Sequence, residues 1–273
     1  MDLDDTLRTL ARDPAAAVDP FELGLHLAAD EYPDLDVPVY LSRLDTLADR
    51  LAPRLDAPLA QQVSALTGFL FEQEGFAGNE ADYYDPRNSY LSDVLDRRLG
   101  IPLTLSLLAM AVGERCGLAV HGVGLPGHFV ARATAGDEEV VFDPFGGGRL
   151  LSRDGCAELV RAATGQPFAT TDAALRPCPP GQIAVRLLSN LKGIYLQKGD
   201  FSRAARTIGR LVTLLPGHPL QRRDLGVSLV HAGRPGAAVG HLGAYLEAVP
   251  DAADRDTVAE FRKRALAAVA RWN

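Results

Sequence analysis

Gly100-Ile101-Pro102-Leu103-Thr104-Leu105-Ser106-Leu107-Leu108-Ala109-Met110-Ala111-Val112-Gly113-Glu114-Arg115-Cys116-Gly117 is the stretch on which the fold of this chain turns. A proline in the first turn and a glycine at the stop bracket a helix from Pro102 to Cys116. Its leucines, Met110 and Val112 leave it apolar nearly all round, so it belongs inside a domain rather than on a surface. After it the pattern changes to short β-type segments at Ala119 to Leu125, His128 to Ala133 and Glu138 to Phe142. Pro126-Gly127 and Ala135-Gly136-Asp137 separate them as turns, which predicts an antiparallel meander packed on the helix. The fold class read here is therefore α+β.

Upstream of the helix, residues 1–75 carry helical periodicity, for example Leu41, Leu44, Leu47 and Leu51, broken by Pro and Asp. A polar stretch from Gly75 to Asn79 leads into Tyr83-Tyr84-Asp85-Pro86-Arg87-Asn88-Ser89. There Asn88 or Ser89 is a candidate cap for a helix ending at Arg97-Arg98 before Gly100. Downstream, the proline-rich stretch Thr170 to Gly181 marks a boundary between two units. The division expected is residues 1–178, with a core at about 81–168, and residues 181–273.

The second unit repeats. Gly199 matches Gly233, Ala204 matches Ala238 and Pro216 matches Pro250, each pair 34 residues apart, the period of a tetratricopeptide helix hairpin. Helix pairs are expected at about 183–214 and 217–248, then a charged capping helix at about 253–271. A plain bundle with a chance echo is the competing reading.

Composition narrows the function classes. Of 273 residues, 47% are hydrophobic and 23% charged, the balance of a globular protein. Twenty-eight basic against thirty-five acidic residues give a net charge of −7, and no Lys/Arg stripe suits nucleic acid. The acidic start Met1-Asp2-Leu3-Asp4-Asp5 and the absence of a long apolar run point to a cytoplasmic protein with no membrane partner. Cys116, Cys156 and Cys178 make no close pair, so neither a disulfide framework nor a zinc knuckle is expected.

The chemistry-bearing residues are His128 and Asp143, fifteen apart on neighbouring strands and expected to face the buried helix. In order and spacing, Gly100-Ile101-Pro102, Gly124 to Phe129 and Phe142-Asp143-Pro144-Phe145 resemble the transglutaminase-like, papain-type core. Asn88 to Leu91, Arg98 to Pro102, Leu125 to Phe129 and Asp143 to Gly147 resemble its SirB-type branch more closely still. The resemblance implies a thiol at the helix start, a histidine base and an orienting aspartate. His128 and Asp143 fill the last two roles, and Pro102 stands where the cysteine belongs. Asn88, Pro102, Gly127 and Phe145 are the expected pocket residues.

A binding or regulatory protein without a nucleophile, taking a protein or peptide on its repeat tail, is the leading expectation. Cys116 lies fourteen residues along the helix, about 21 Å from its start, too far to replace the missing thiol. Ser106 lies one turn below Pro102, which gives the rival reading: a hydrolase or acyl transferase built on Ser106, His128 and Asp143. Ser106 is otherwise a core serine bonded to the carbonyl one turn earlier. A peptide adapter working mainly through the tail is a third possibility. A metal held by His121, His128 and Asp143 is possible in residue type, but no cofactor or metal is expected. Gly146-Gly147-Gly148-Arg149 lacks the lysine and following helix of a phosphate loop, and Cys156 would need a different chain order to serve as nucleophile.

Overall fold

The computed structural model describes residues 1–52 and 57–271 and divides into two compact units. Positions 53–56, within the expected helical front, lie outside the described residues. Among the described residues no helix is long and apolar enough to cross a membrane.

The larger unit spans Ala17–Ile183. Its helical front holds α2 (Pro20–Ala29), α3 (Val37–Leu51) and α4 (Leu59–Thr67), the last running into a π-helical turn, Gly68–Gln73. Asp19 and Asp36 cap α2 and α3 by accepting first-turn amides, each followed by a proline at the start of its helix. Next come α5 (Leu91–Arg97), α6 (Pro102–Arg115) and a four-stranded antiparallel sheet in sequence order, β3 (Ala119–Leu125), β4 (His128–Ala135), β5 (Glu138–Asp143) and β6 (Arg149–Leu151). The helix α7 (Arg153–Thr164) follows, with Ser152 accepting the Gly155 amide at 3.1 Å. A two-residue parallel bridge joins β1 (Ala77–Gly78) to β2 (Leu99–Gly100) just before α6 begins.

The sheet separates two apolar layers. On one side α6 packs, with Met110 and Phe129 meeting over Gly122 and Val120 abutting Gly113. On the other, Val123, Leu125, Val130 and Val141 enclose Cys156 and Val160 of α7 together with Leu175. The expected α+β core, buried helix and meander are present. The fourth strand, β6, has only three residues, too few for a period-two pattern.

One detail differs from the sequence reading. α5 begins after Tyr90 with no side-chain cap, because Asn88 and Ser89 belong to a 3-10 turn at Pro86–Asn88 and its exit. The helix ends at Arg97-Arg98, the expected place, with Arg98 left-handed at φ 59° and Gly100 in β2.

The second unit contains residues from Ala184 onward together with Asp2–Ala16. α1 (Leu3–Arg12) buries Leu7 and Leu10 and packs on α9 (Phe201–Leu214), with an ion pair between Asp4 and Arg210. A helix with one apolar stripe does not name its partner, which is why sequence alone grouped it with the helices next in order.

The repeat is visible bond by bond. After α8 (Pro180–Lys198), Gly199 turns left-handed at φ 69° and Asp200 N–H donates to Tyr195 O. After α10 (Pro219–His231), Gly233 does so at φ 71° and Arg234 N–H donates to Leu229 O, each 34 residues on. Ala204 and Ala238 are both fully buried, in α9 and α11 (Pro235–Ala248), and α12 (Arg255–Ala270) closes the array.

Two glycines in this unit make opposite predictions. A Cβ on Gly226 would stand 2.5 Å from Leu242 of α11, so Gly226→Ala destabilises by about 1–3 kcal/mol through overpacking. Gly209, inside α9, has nothing within 4 Å of the same position, so Gly209→Ala stabilises by about 0.5–1 kcal/mol. Urea unfolding of both variants checks this.

Candidate functional site

The start of α6 is built by polar contacts that leave little freedom. Ile101 is extended, and its N–H donates to Thr104 Oγ1 at 3.0 Å. The Thr104 hydroxyl donates to Asn88 O at 2.8 Å. Pro102 opens the helix, buried, with no amide to offer and no nucleophile.

Asn88 is fully buried and committed to structure. Its amide donates to Asp82 O at 2.7 Å and Tyr83 O at 3.2 Å, and its Oδ1 accepts from Asn79 at 3.0 Å. It therefore stitches residues 79–83 to the start of α6, a role that explains why a buried amide is tolerated there. Close by, burial acts to raise the Asp85 carboxyl, but hydrogen bonds from Arg87 and the charge of Arg97 outweigh it and hold Asp85 below the usual carboxylate range.

His128 and Asp143 meet: Nε2 lies 3.0 Å from Oδ1, with side chains 11% and 4% exposed. The same Oδ1 accepts the Phe145 amide at 3.2 Å, and Gly148 N–H donates to Asp143 O at 2.8 Å. The aspartate thus organises both the histidine and the turn that follows. Phe145 lies edge-on to His128 at 6.2 Å and to Tyr83 at 6.0 Å. Its ring occupies the place where a Cβ on Gly78 would sit, 2.6 Å away, so Phe145 links the histidine to the β1–β2 bridge.

The strand register corrects the expected orientation. Leu125 pairs with His128 across the two-residue turn, and Ala131 pairs with Phe142. His128 and Asp143 therefore share a face with Leu125, Val130 and Val141, the side covered by α7, while α6 packs on the alternate residues. A tight hairpin puts directly paired residues on one face, and Leu125 faces α7. Gly127, at φ 71°, lets this hairpin approach α7, where a Cβ would lie 2.9 Å from Ala163.

Ser106 is wholly buried and its hydroxyl engages Pro102 O at 2.8 Å and Phe129 O at 3.5 Å, both backbone carbonyls. His128 is not among its partners. His121 pairs with Arg132, four residues along β3 from the partner of His128, about 13 Å away at the strand rise. Burial, helped by Arg132, holds the His121 pKa down. Among the described residues no group of three His, Cys, Asp or Glu side chains is placed to hold a metal ion.

Two of the thiols, Cys116 and Cys156, are poorly activated. Burial pushes Cys116 up, with Asp49 adding to it, and its Sγ contacts Ala48 O at 3.4 Å. Burial likewise raises Cys156, and the Asp143 carboxylate raises it further. Gly146-Gly147-Gly148 forms the turn after Asp143, where a Cβ on Gly146 would stand 2.8 Å from Asp143 Oδ2. It leads into β6, without a helix. Sequence reasoning missed Gly78, Asn79 and Thr104, whose only signal was a polar, glycine-containing stretch before the motif and a hydroxyl at the third helical position.

The family model of the transglutaminase-like superfamily matches residues 39–189, and a tetratricopeptide-repeat model matches 191–263. A UPF0162 protein of Xylella fastidiosa is 36% identical over 241 residues, covering 86% of this chain and 85% of that protein. A UPF0162 protein of Pseudomonas aeruginosa is 32% identical over 212 residues, 77% of this chain and 76% of its own length. A shorter match, 35% identical over 109 residues, covers 37% of this chain and 17% of the mouse F-box only protein 21. No solved structure matches the chain. The matched spans contain the α6 start, the His128 strand, the Asp143 turn and the 34-residue repeat, and the chain belongs to the transglutaminase-like superfamily, in its SirB-type branch with a tetratricopeptide-repeat tail.

Proposed function

We propose that this protein is a non-catalytic, cytoplasmic member of its superfamily, a binding or regulatory module whose repeat tail takes a protein or peptide partner. The observation that carries the reading is the buried Pro102 at the first position of α6, where the superfamily resemblance locates the nucleophile. Repeats of this kind present helical surfaces for protein contacts, which supports a macromolecular partner over a small substrate.

The His128–Asp143 pair is retained for architecture in this reading. It closes the turn that seats Phe145, and it does not require a reacting partner. The rival enzyme needs Ser106 to pass its proton to His128, and the hydroxyl's hydrogen bonds to Pro102 O and Phe129 O argue against that.

Two measurements test the proposal. Iodoacetamide at pH 7 labels Cys116 and Cys156 slowly, because burial raises both thiol pKa values and disfavours the reactive thiolate. Rapid stoichiometric labelling of Cys116 would overturn the expectation that no cysteine is activated. Second, Ser106→Ala costs about 0.5–1.5 kcal/mol of stability and leaves the cellular role intact. His128→Ala strands a buried carboxylate at a cost of about 3 kcal/mol and disturbs that role. Melting temperature paired with turnover on esters, amides and glutaminyl peptides decides between the readings. A wild-type turnover abolished by Ser106→Ala at unchanged melting temperature would establish the serine hydrolase instead.

A further inference from the structure

A cleft of about 560 Å³ opens between the α2–α3 loop and α5, away from the residues discussed so far. Its walls carry Tyr32, Asp34 and Tyr40 on one side and Ser92, Asp93 and Asp96 on the other, with Glu31 and Asp36 at the loop. Two tyrosine–aspartate pairs line it. Tyr40 Oη donates to Asp96 at 2.9 Å, and Tyr32 Oη donates to Asp93 at 2.7 Å.

The first pair is completed by the chain itself. Arg43 meets Asp96 at 2.5 Å, donates to Leu95 O at 2.9 Å and sets its guanidinium 5.0 Å from the centre of the Tyr40 ring. The second pair has no such cation: among the described residues Asp93 makes a hydrogen bond to Tyr32 and no ion pair within 4.0 Å. Arg87 and Arg97, the nearest arginines acting on it, are bound to Asp85 at 2.8 and 3.2 Å. Burial raises the Asp93 pKa and the Tyr32 hydrogen bond only partly offsets it, the sign of a carboxylate short of positive charge.

A separate observation marks the same place. Ser92, next to Asp93, is 3% exposed, lines the cleft, and its Oγ has no hydrogen-bond partner. Buried hydroxyls are normally satisfied, so this acceptor lacks a donor that a ligand can bring. No three of the acidic groups converge as metal ligands, so a spread, planar, multi-donor cation fits better than a compact ion.

We propose that this cleft receives a guanidinium group, an arginine side chain presented by a peptide, bound by Asp93, Ser92 Oγ and Tyr32 in the manner in which Arg43 is held by Asp96 and Tyr40. A guanidinium has five donors in one plane, enough to reach a carboxylate and a hydroxyl together while lying against an aromatic ring; an ammonium is a point charge without that plane. The inference uses none of the His128 or Ser106 geometry and stands or falls apart from the non-catalytic reading.

The test is an NMR titration of the full chain with acetyl-Gly-Arg-Gly-amide, its lysine counterpart and free L-arginine at roughly 0.15 M salt, where loose ionic attraction is screened. Expected are saturable shifts at residues 31–40 and 92–96 with the arginyl peptide, and weaker binding by the lysyl peptide. Asp93→Asn weakens the arginyl peptide about tenfold or more, the loss of one charge-assisted contact. Ser92→Ala also weakens it and melts no lower than wild type, since its hydroxyl has no partner to lose. Asp137→Asn, on the exposed β4–β5 turn, changes nothing. Equal affinity for lysine and arginine, full affinity in Asp93→Asn, or no saturable shift in the cleft overturns the proposal. Tighter binding of free L-arginine than of the peptide overturns the peptide as the source of the guanidinium.

Discussion

A carboxylate that is only 3% exposed must find donors, and the way Asp143 finds them shapes the first unit. One oxygen is shared between the His128 ring and the Phe145 amide, which bends the chain sharply after β5. The bend delivers Phe145 onto Gly78 and against Tyr83, so the sheet is fastened to the β1–β2 bridge and to the residues that precede α6. Replacing either glycine beside this turn, Gly78 or Gly146, would put a Cβ within 2.6 or 2.8 Å of the atoms concerned. Through its bond to His128 and the turn it closes, Asp143 joins elements far apart in sequence.

The α6 start follows the same economy. A helix opening on proline has no first amide to satisfy, and the Ile101, Thr104 and Asn88 contacts take up the polar groups around it. What remains is a well-supported buried helix end with no thiol. Ser106, one turn in, is locked to the Pro102 carbonyl, as expected of a mid-helix serine in an apolar setting.

The legible parts of this chain were those in which a local pattern has one structural solution. An all-round apolar run between Pro102 and Gly117 can only be a buried helix, and the strand bounds from Ala119 to Asp143 agree with the structure within two residues. The 34-residue match survives down to individual turn hydrogen bonds because left-handed turns demand Gly199 and Gly233. The partnership of His128 and Asp143 was readable from spacing, but their face was not: it depends on a register set by the Pro126-Gly127 turn and on which layer claims Leu125. Asn88 looked like a helix cap because capping and interior amides use the same chemistry, and only its distant partners Asn79 and Thr104 distinguish the two. The cleft beside Asp93 had no sequence signature at all, since its walls are brought together from segments some sixty residues apart.

The docking of α1 on α9 also bears on synthesis. α1 leaves the ribosome about 200 residues before α9 is complete, an interval of roughly 10–40 s at ordinary elongation rates. Through that interval Leu7 and Leu10 have no α9 to cover them, while the Ala17–Ile183 unit already has its whole sequence available for folding. The topology thus sets an order of availability: the middle has its whole sequence first, and α1 waits for α9. A nascent chain that has released residue 183 but not α9 would carry the complete sequence of the sheet unit and a bare amphipathic helix, the kind of exposed apolar stripe that holding chaperones bind.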